Sequence, residues 1–193
     1  MLKSNVSKIQ FGGFNLDIEV EIRSFISEEQ YNELLGFMQK NAKQIKKDNQ
    51  ITYYFSGDND LRIQKNDFFS KIWLKHGNIH DPHRKEVELK FDKEKFEQLE
   101  KLFLSLGYQI DIKWFRKRHL FSWNDIDVAI DHTKGYGHII ELEKMSNEQE
   151  KEQVYNHLKQ KLKELNINLT PKEKFDKKYH YYKENWRTLT NES

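Results

Sequence analysis

Between Asn15 and Arg23 the chain alternates without a break. Leu16, Ile18, Val20 and Ile22 fall on one side, and Asp17, Glu19, Glu21 and Arg23 on the other. Period two marks an extended strand, because successive side chains there point to opposite faces. A helix would scatter both sets around its circumference. The segment from Ile9 to Arg23, with Gly12 and Gly13 near its start, is therefore predicted as a strand. The same division recurs downstream. Lys71, Trp73 and Lys75 share a face, as do Arg84, Glu86 and Glu88, Arg116 and Arg118, Asp127 and Asp131, and Glu141 and Glu143. Such strands must bury their apolar sides and leave dense charge on the other.

Amphipathic helices can supply the cover. Ser27-Glu28-Glu29-Gln30 is a capping box that opens a helix with Tyr31, Leu34, Leu35 and Met38 as its apolar stripe. Asp92 is read as the cap of a second helix, whose stripe Phe96, Leu99, Leu102, Phe103 and Leu106 ends at Gly107. Ser146 is read as the cap of a third, Asn147 to Leu165, with Val154, Leu158, Leu162 and Leu165 in register. A last helix, Pro171 to Trp186, aligns Phe175, Tyr179, Tyr182 and Trp186. Further strands are predicted at Thr52 to Phe55, Leu61 to Gln64, Phe69 to Lys75, Arg84 to Phe91, Tyr108 to Ser122, Asp125 to His132 and His138 to Lys144. A loop runs from Gly77 to His83. Without a repeat or linker, residues 1–193 read as one domain of the α+β class.

Composition narrows the function classes. With 33% of residues charged and the longest apolar runs only short, no membrane-spanning helix is expected. The absence of cysteine removes disulfides, thiolate metal sites and cysteine nucleophiles together. No apolar signal core follows Met1, and a cytoplasmic location is expected. The 33 basic and 31 acidic residues nearly cancel, which argues against nucleic-acid binding driven by bulk charge.

An open sheet with one solvated face is the ordinary home for alternating strands. Two features point elsewhere. Carboxylates recur in i, i+2 pairs at Glu19/Glu21, Glu86/Glu88 and Glu141/Glu143, where like charges gain nothing for strand stability. They do suit hard divalent cations, which take oxygen ligands and keep positions open for phosphate. Cations sit on separate strands at Arg62, Lys75, Arg116 and Arg118, as gripping a polyanion from several directions requires. If the sheet closes into a barrel with helices packed outside, these charged faces line one tunnel.

The residues also resemble the CYTH proteins, the class IV adenylate cyclase and thiamine triphosphatase group of the triphosphate tunnel metalloenzymes. The family's N-terminal Glu-x-Glu-x-Lys is matched by Glu19-Val20-Glu21-Ile22-Arg23, and its Leu-Arg-Ile-Arg by Leu61-Arg62-Ile63-Gln64. Ile72-Trp73-Leu74-Lys75, Arg84-Lys85-Glu86-Val87-Glu88 and Arg116-Lys117-Arg118 follow in the family's order. Ile130-Asp131, Gly135-Tyr136-Gly137 and Glu141-Leu142-Glu143 complete it. Arg23 stands where most members have Lys, and Gln64 where many have Arg.

The resemblance implies a closed eight-stranded antiparallel β-barrel in which Mg²⁺ or Mn²⁺ bridges carboxylates and a bound triphosphate. Glu19, Glu21, Glu141, Glu143 and Asp131 are then the metal ligands, with Glu86 and Glu88 next in rank. Arg62, Lys75, Arg84, Arg116 and Arg118 would bind the phosphates; Glu19, Glu21, Arg23 and Lys75 would surround the reacting phosphoryl group. Hydrolysis of inorganic, nucleoside or thiamine triphosphate leads. Adenylate cyclase and non-catalytic binding are the alternatives, and RNA 5′-triphosphate is a further candidate partner. A monomer or homodimer is expected. His76, His80 and His83 share one polar loop and read as solvated, and the aromatic stripe of the last helix reads as packing or as a cover for one tunnel mouth.

Overall fold

The computed structural model describes residues 18–76 and 85–192, apart from the side chains of His76, Lys85 and Glu86. Arg84, His80, His83 and the predicted strand before Ile18 lie outside the described residues. The elements run in chain order as β1 (Ile18–Ile26), α1 (Glu28–Asn41), β2 (Lys43–Phe55), β3 (Asp60–Lys65), β4 (Phe69–His76) and β5 (Lys85–Asp92). They continue as α2 (Phe96–Ser105), β6 (Ile110–Trp123), β7 (Ile126–Thr133), β8 (Gly137–Ser146), α3 (Lys151–Glu164) and α4 (Lys172–Thr190). No described helix is long and apolar enough to cross a membrane.

The eight strands form one antiparallel sheet in the order β1-β8-β7-β6-β2-β3-β4-β5. Among the described residues no ladder joins β1 to β5, so hydrogen bonds do not close the barrel expected from the sequence. The sheet nevertheless curls: side chains of β1 and β4, six places apart in that order, line one cavity.

Alternation sorts the residues as expected. The outer apolar face of β1, β8, β7 and β6 carries Val20, Ile22, Leu142, Ile140, Val128 and Phe121, all buried against α1 and α3. The α1 capping box forms as read: Ser27 Oγ accepts from Gln30 N at 3.1 Å, and Gln30 Oε1 accepts from Ser27 N at 2.9 Å. On the outer side of β2 and β3, Phe55 and Ile63 meet Phe96, Leu99 and Phe103 of α2.

Five expectations need correction. Asp92 ends β5 and makes no side-chain capping hydrogen bond; α2 starts at Phe96, after Lys95. The second strand starts at Lys43 rather than Thr52, because its inward residues, Asp48 and Gln50, are polar and give no apolar rhythm. Leu102 and Leu106 of the α2 stripe are exposed; the sheet reaches only the Phe96-Leu99-Phe103 line. Ser146 ends β8 and caps no helix. Asn147 Oδ1 instead accepts from the backbone of Gln149 and Glu150, and the helix starts at Lys151. Finally, α4 does not pack outside. Its Phe175, Tyr182 and Trp186 bury against the inward-facing Ile112, Trp114 and Ile139 and against Tyr136, stopping one end of the trough. Tyr182 Oη donates to Lys113 O at 3.0 Å and Trp186 Nε1 to Asp111 O at 2.8 Å, tying α4 to β6.

Candidate active site

Cross-strand register decides which charges meet. Glu21 lies opposite Glu143 and Arg23 opposite Glu141, so the acidic pairs of β1 and β8 share a face. Arg118 lies opposite both Asp131 on β7 and Asp48 on β2, and Arg116 opposite Gln50. Tyr54 faces Arg62, and Arg62 faces Trp73. This face surrounds a cavity of about 240 Å³. Its walls carry Glu19, Glu21 and Arg23 from β1, Glu141 and Glu143 from β8, Asp131 and Thr133 from β7, and Arg116 and Arg118 from β6. Arg62 from β3 and Lys71, Trp73 and Lys75 from β4 complete the charged end.

The acidic corner is strained by its own charge. Carboxylate oxygens of Glu19, Glu21 and Glu143 lie within 4.8 Å of one another. Burial, then the neighbouring Glu19 and Glu141, push the Glu143 carboxyl up to about 8. Glu141, two residues away, goes the other way. Burial opposes its ionisation, but Arg118, Arg23, Arg116 and Lys75 hold it at about 2. Three crowded oxygen donors whose charges oppose one another fit a hard divalent cation.

The basic wall is held by a net of fixed partners. Arg118 donates to Asp131 at 2.7 and 2.9 Å and to Glu141 Oε1 at 2.9 Å, an arrangement that locks its plane. Arg116 Nε donates to Gln50 Oε1 at 2.8 Å, with Asp131 3.4 Å from its Nη1. Burial and the adjacent Arg118 lower the Arg116 pKa, so a bound anion would relieve this pair. Arg62 donates to Asp60 through two bonds, one of 2.6 Å, and its guanidinium sits 4.2 Å from the Tyr54 ring centre and 5.0 Å from that of Trp73. Lys71 and Lys75 flank the same indole at 3.8 and 4.5 Å. Arg23 pairs with Glu21.

Most residues singled out in the sequence thus meet in one place. Glu88 does not reach the acidic corner; it pairs with Lys71 at 2.6 Å and Lys90 at 3.1 Å, and these cations lower its pKa against the effect of burial. Glu86 lies opposite Lys75 in the β4–β5 ladder. Gln64 shares the Arg62 face but does not line the cavity itself; its Nε2 donates at 3.0 Å to Oγ1 of Thr52, which does. Sequence reasoning overlooked Asp60, Gln50, Thr133 and Tyr136. Asp60 had a signal, since its i, i+2 spacing puts it on the Arg62 face. Gln50 belongs to the half of β2 that carries no apolar alternation.

Comparison with known proteins follows the same outline. The CYTH domain family model matches residues 17–179. Among solved structures, a conserved hypothetical protein from Pyrococcus furiosus superposes with a TM-score of 0.66 at 22% identity, covering 78% of this chain and 91% of its own. A candidate adenylate cyclase from Vibrio parahaemolyticus gives 0.63 at 13% identity, with 78% and 90% covered. A candidate adenylyl cyclase from Hippeastrum, described as having a dominant triphosphatase activity, gives 0.59 at 18% identity, with 79% and 89% covered. At these identities the likeness concerns the fold. No curated protein matches the chain.

Proposed function

The chain belongs to the CYTH domain family, and from that premise we propose that it hydrolyses a triphosphate compound inside the curled sheet. One observation carries the reading: an acidic corner and a set of buried and half-buried cations from three strands line the same cavity. Arg116 and Arg118 from β6, Arg62 from β3, and Lys71 and Lys75 from β4 would bind and align the phosphate chain. Glu19, Glu21 and Glu143 would hold Mg²⁺ or Mn²⁺, with Glu141 and Asp131 orienting the arginines rather than ligating. When bound, that cation supplies charge neutralisation to the phosphate oxygens. In hydrolysis, water adds to the terminal phosphorus as the bond to the bridging oxygen breaks, and the cavity carboxylates take up the proton released. Arg23 cannot be that base, because a guanidinium stays protonated; it would steady the terminal phosphoryl group. A sheet drawn closed around substrate would give the full tunnel expected from the sequence.

The dominant triphosphatase activity described for the Hippeastrum protein supports hydrolysis over cyclisation. The test is product analysis. Purified protein with Mg²⁺ or Mn²⁺ is given inorganic triphosphate, ATP, thiamine triphosphate and 5′-triphosphate RNA. Orthophosphate release that Glu19→Gln and Arg116→Ala abolish is expected. Cyclic AMP from ATP would replace the hydrolase reading with the cyclase one, and tight binding without turnover would replace it with a binder.

A further inference from the structure

The small net charge of +2 conceals one uneven face. Trp114, Arg116 and Arg118 of β6 line the cavity, so Lys113, Phe115 and Lys117 stand in one line on the outside of the sheet. Lys47 of β2 lies opposite His119 in the ladder and His132 of β7 opposite Lys117, which puts both on the same outer face. Lys134 joins them: its N donates to Phe115 O at 3.0 Å, and its Nζ sits 5.9 Å from the Phe115 ring centre. Lys47, Lys117, His132 and Lys134 are exposed, and Lys113 and Phe115 are partly exposed.

The helices pack on either side of this stripe. α1 and α3 bury Phe121 and the strands beyond it, and α2 buries Phe55 and Ile63. Phe115 belongs to none of the apolar clusters. Elsewhere Lys65, Lys144, Lys151, Lys161 and Lys183 each pair with a carboxylate. Among the described residues Lys47, Lys113, Lys117 and Lys134 pair with none. Asp67, at the border of the stripe, is engaged by Asn49, whose N donates to its Oδ2 at 2.8 Å. Burial, then Lys47 and Lys117, lower the pKa of neighbouring His119. Cations gathered without counter-charge on one rigid sheet repel one another, and an anionic partner relieves that repulsion.

We propose that this outer stripe of β6, with its neighbours on β2 and β7, binds single-stranded nucleic acid, the four lysines holding phosphates and Phe115 stacking on a base. Lys113 to Lys117 spans ~13 Å along the strand, and Lys47 to His132 ~10 Å across three strands, which is room for several phosphates. A ring set between cations on its own strand answers the alternation of flat base and charged backbone in a nucleic acid. An acidic peptide need offer no flat ring to Phe115, and a duplex keeps its base faces stacked inside. An anionic bilayer calls for apolar groups that enter it, whereas Phe115 is partly covered. The stripe lies on the other face of the sheet from the cavity and does not depend on the triphosphate reading.

The test is fluorescence anisotropy of a labelled oligoadenylate of about ten nucleotides with a 5′-hydroxyl end, read across a salt series in chelator. Wild-type affinity is expected to fall with a log–log slope of about −3, each of the four lysines contributing about 0.7. Lys113→Gln and Lys117→Gln should each make that slope shallower by about 0.7. Phe115→Leu should weaken binding about fivefold or more at an unchanged slope. Lys163→Gln removes the same charge from an exposed position on α3 and should leave affinity and slope as in wild type. Saturating inorganic triphosphate should not displace the oligonucleotide, and melting curves check that each variant is folded. The proposal is overturned by absence of saturable binding, by equal effects of Lys163→Gln and Lys117→Gln, or by displacement with inorganic triphosphate. Binding of phosphatidylserine vesicles in place of the oligonucleotide overturns it as well.

Discussion

Glu143→Gln isolates the electrostatics of the acidic corner. The wild-type carboxyl titrates near 8 in the metal-free folded chain, where burial, Glu19 and Glu141 oppose its charge, against an ordinary 4.5. A group whose pKa is raised by folding costs nothing below the lower value, and its cost grows as pH rises toward the upper one. The full difference corresponds to ~5 kcal/mol, and solvent at a half-buried carboxylate trims that to on the order of 3 kcal/mol. Gln carries no charge at any pH. Denaturant titration in chelator at about pH 5 and about pH 9 should therefore show the variant gaining on the order of 3 kcal/mol over wild type between the two. Glu141, held at about 2, stays ionised across this window. His119 and His138, whose pKa values burial lowers, titrate alike in both proteins and cancel. Manganese should reverse the ranking by stabilising wild type and releasing up to about one proton per ion near neutral pH. A stability difference that is the same at both pH values would refute this account of the corner.

Three further outcomes are expected. Gly135 has φ +73°, and a Cβ there would lie 2.7 Å from Leu189 Cβ, so Gly135→Ala should lower stability by ~1–3 kcal/mol, read as a drop in Tm. Asp60→Asn leaves buried Arg62 without its carboxylate and should cost ~2–4 kcal/mol, partly recovered when inorganic triphosphate is added; full stability without ligand would contradict the pairing. Leu158→Ala, at a fully buried site between α3 and the sheet, should cost ~2–5 kcal/mol in denaturant titration while Mn²⁺ affinity stays as in wild type.

The sheet was readable because alternation is a local property. Val20 and Ile22 point away from Glu19 and Glu21 whatever the rest of the chain does. The grouping of Glu21 with Glu143, and of Arg118 with Asp131 and Glu141, was open to reasoning only as a shared face; the register that joins them is a non-local fact. The first half of β2 escaped notice because Asp48 and Gln50 are buried although polar, Asp48 pairing with Lys46 and Gln50 accepting from Arg116, which inverts the usual rule that buried residues are apolar. Helix α4 showed its stripe plainly, but a stripe does not say which side of a sheet will receive it. Tyr136 was visible only as the middle of Gly135-Tyr136-Gly137; that a turn folds its ring over Trp114 at the cavity is a tertiary fact.

The central claim is that one cavity holds a divalent metal at Glu19, Glu21 and Glu143 and a phosphate chain along β6, β3 and β4. A crystal grown with Mn²⁺ and inorganic triphosphate tests it through the anomalous signal of the ion. The account predicts a peak within coordinating distance of those three carboxylates, with the phosphates running from it toward Arg116, Arg118 and Arg62. A peak at any other site, or phosphates bound away from these arginines, would contradict it.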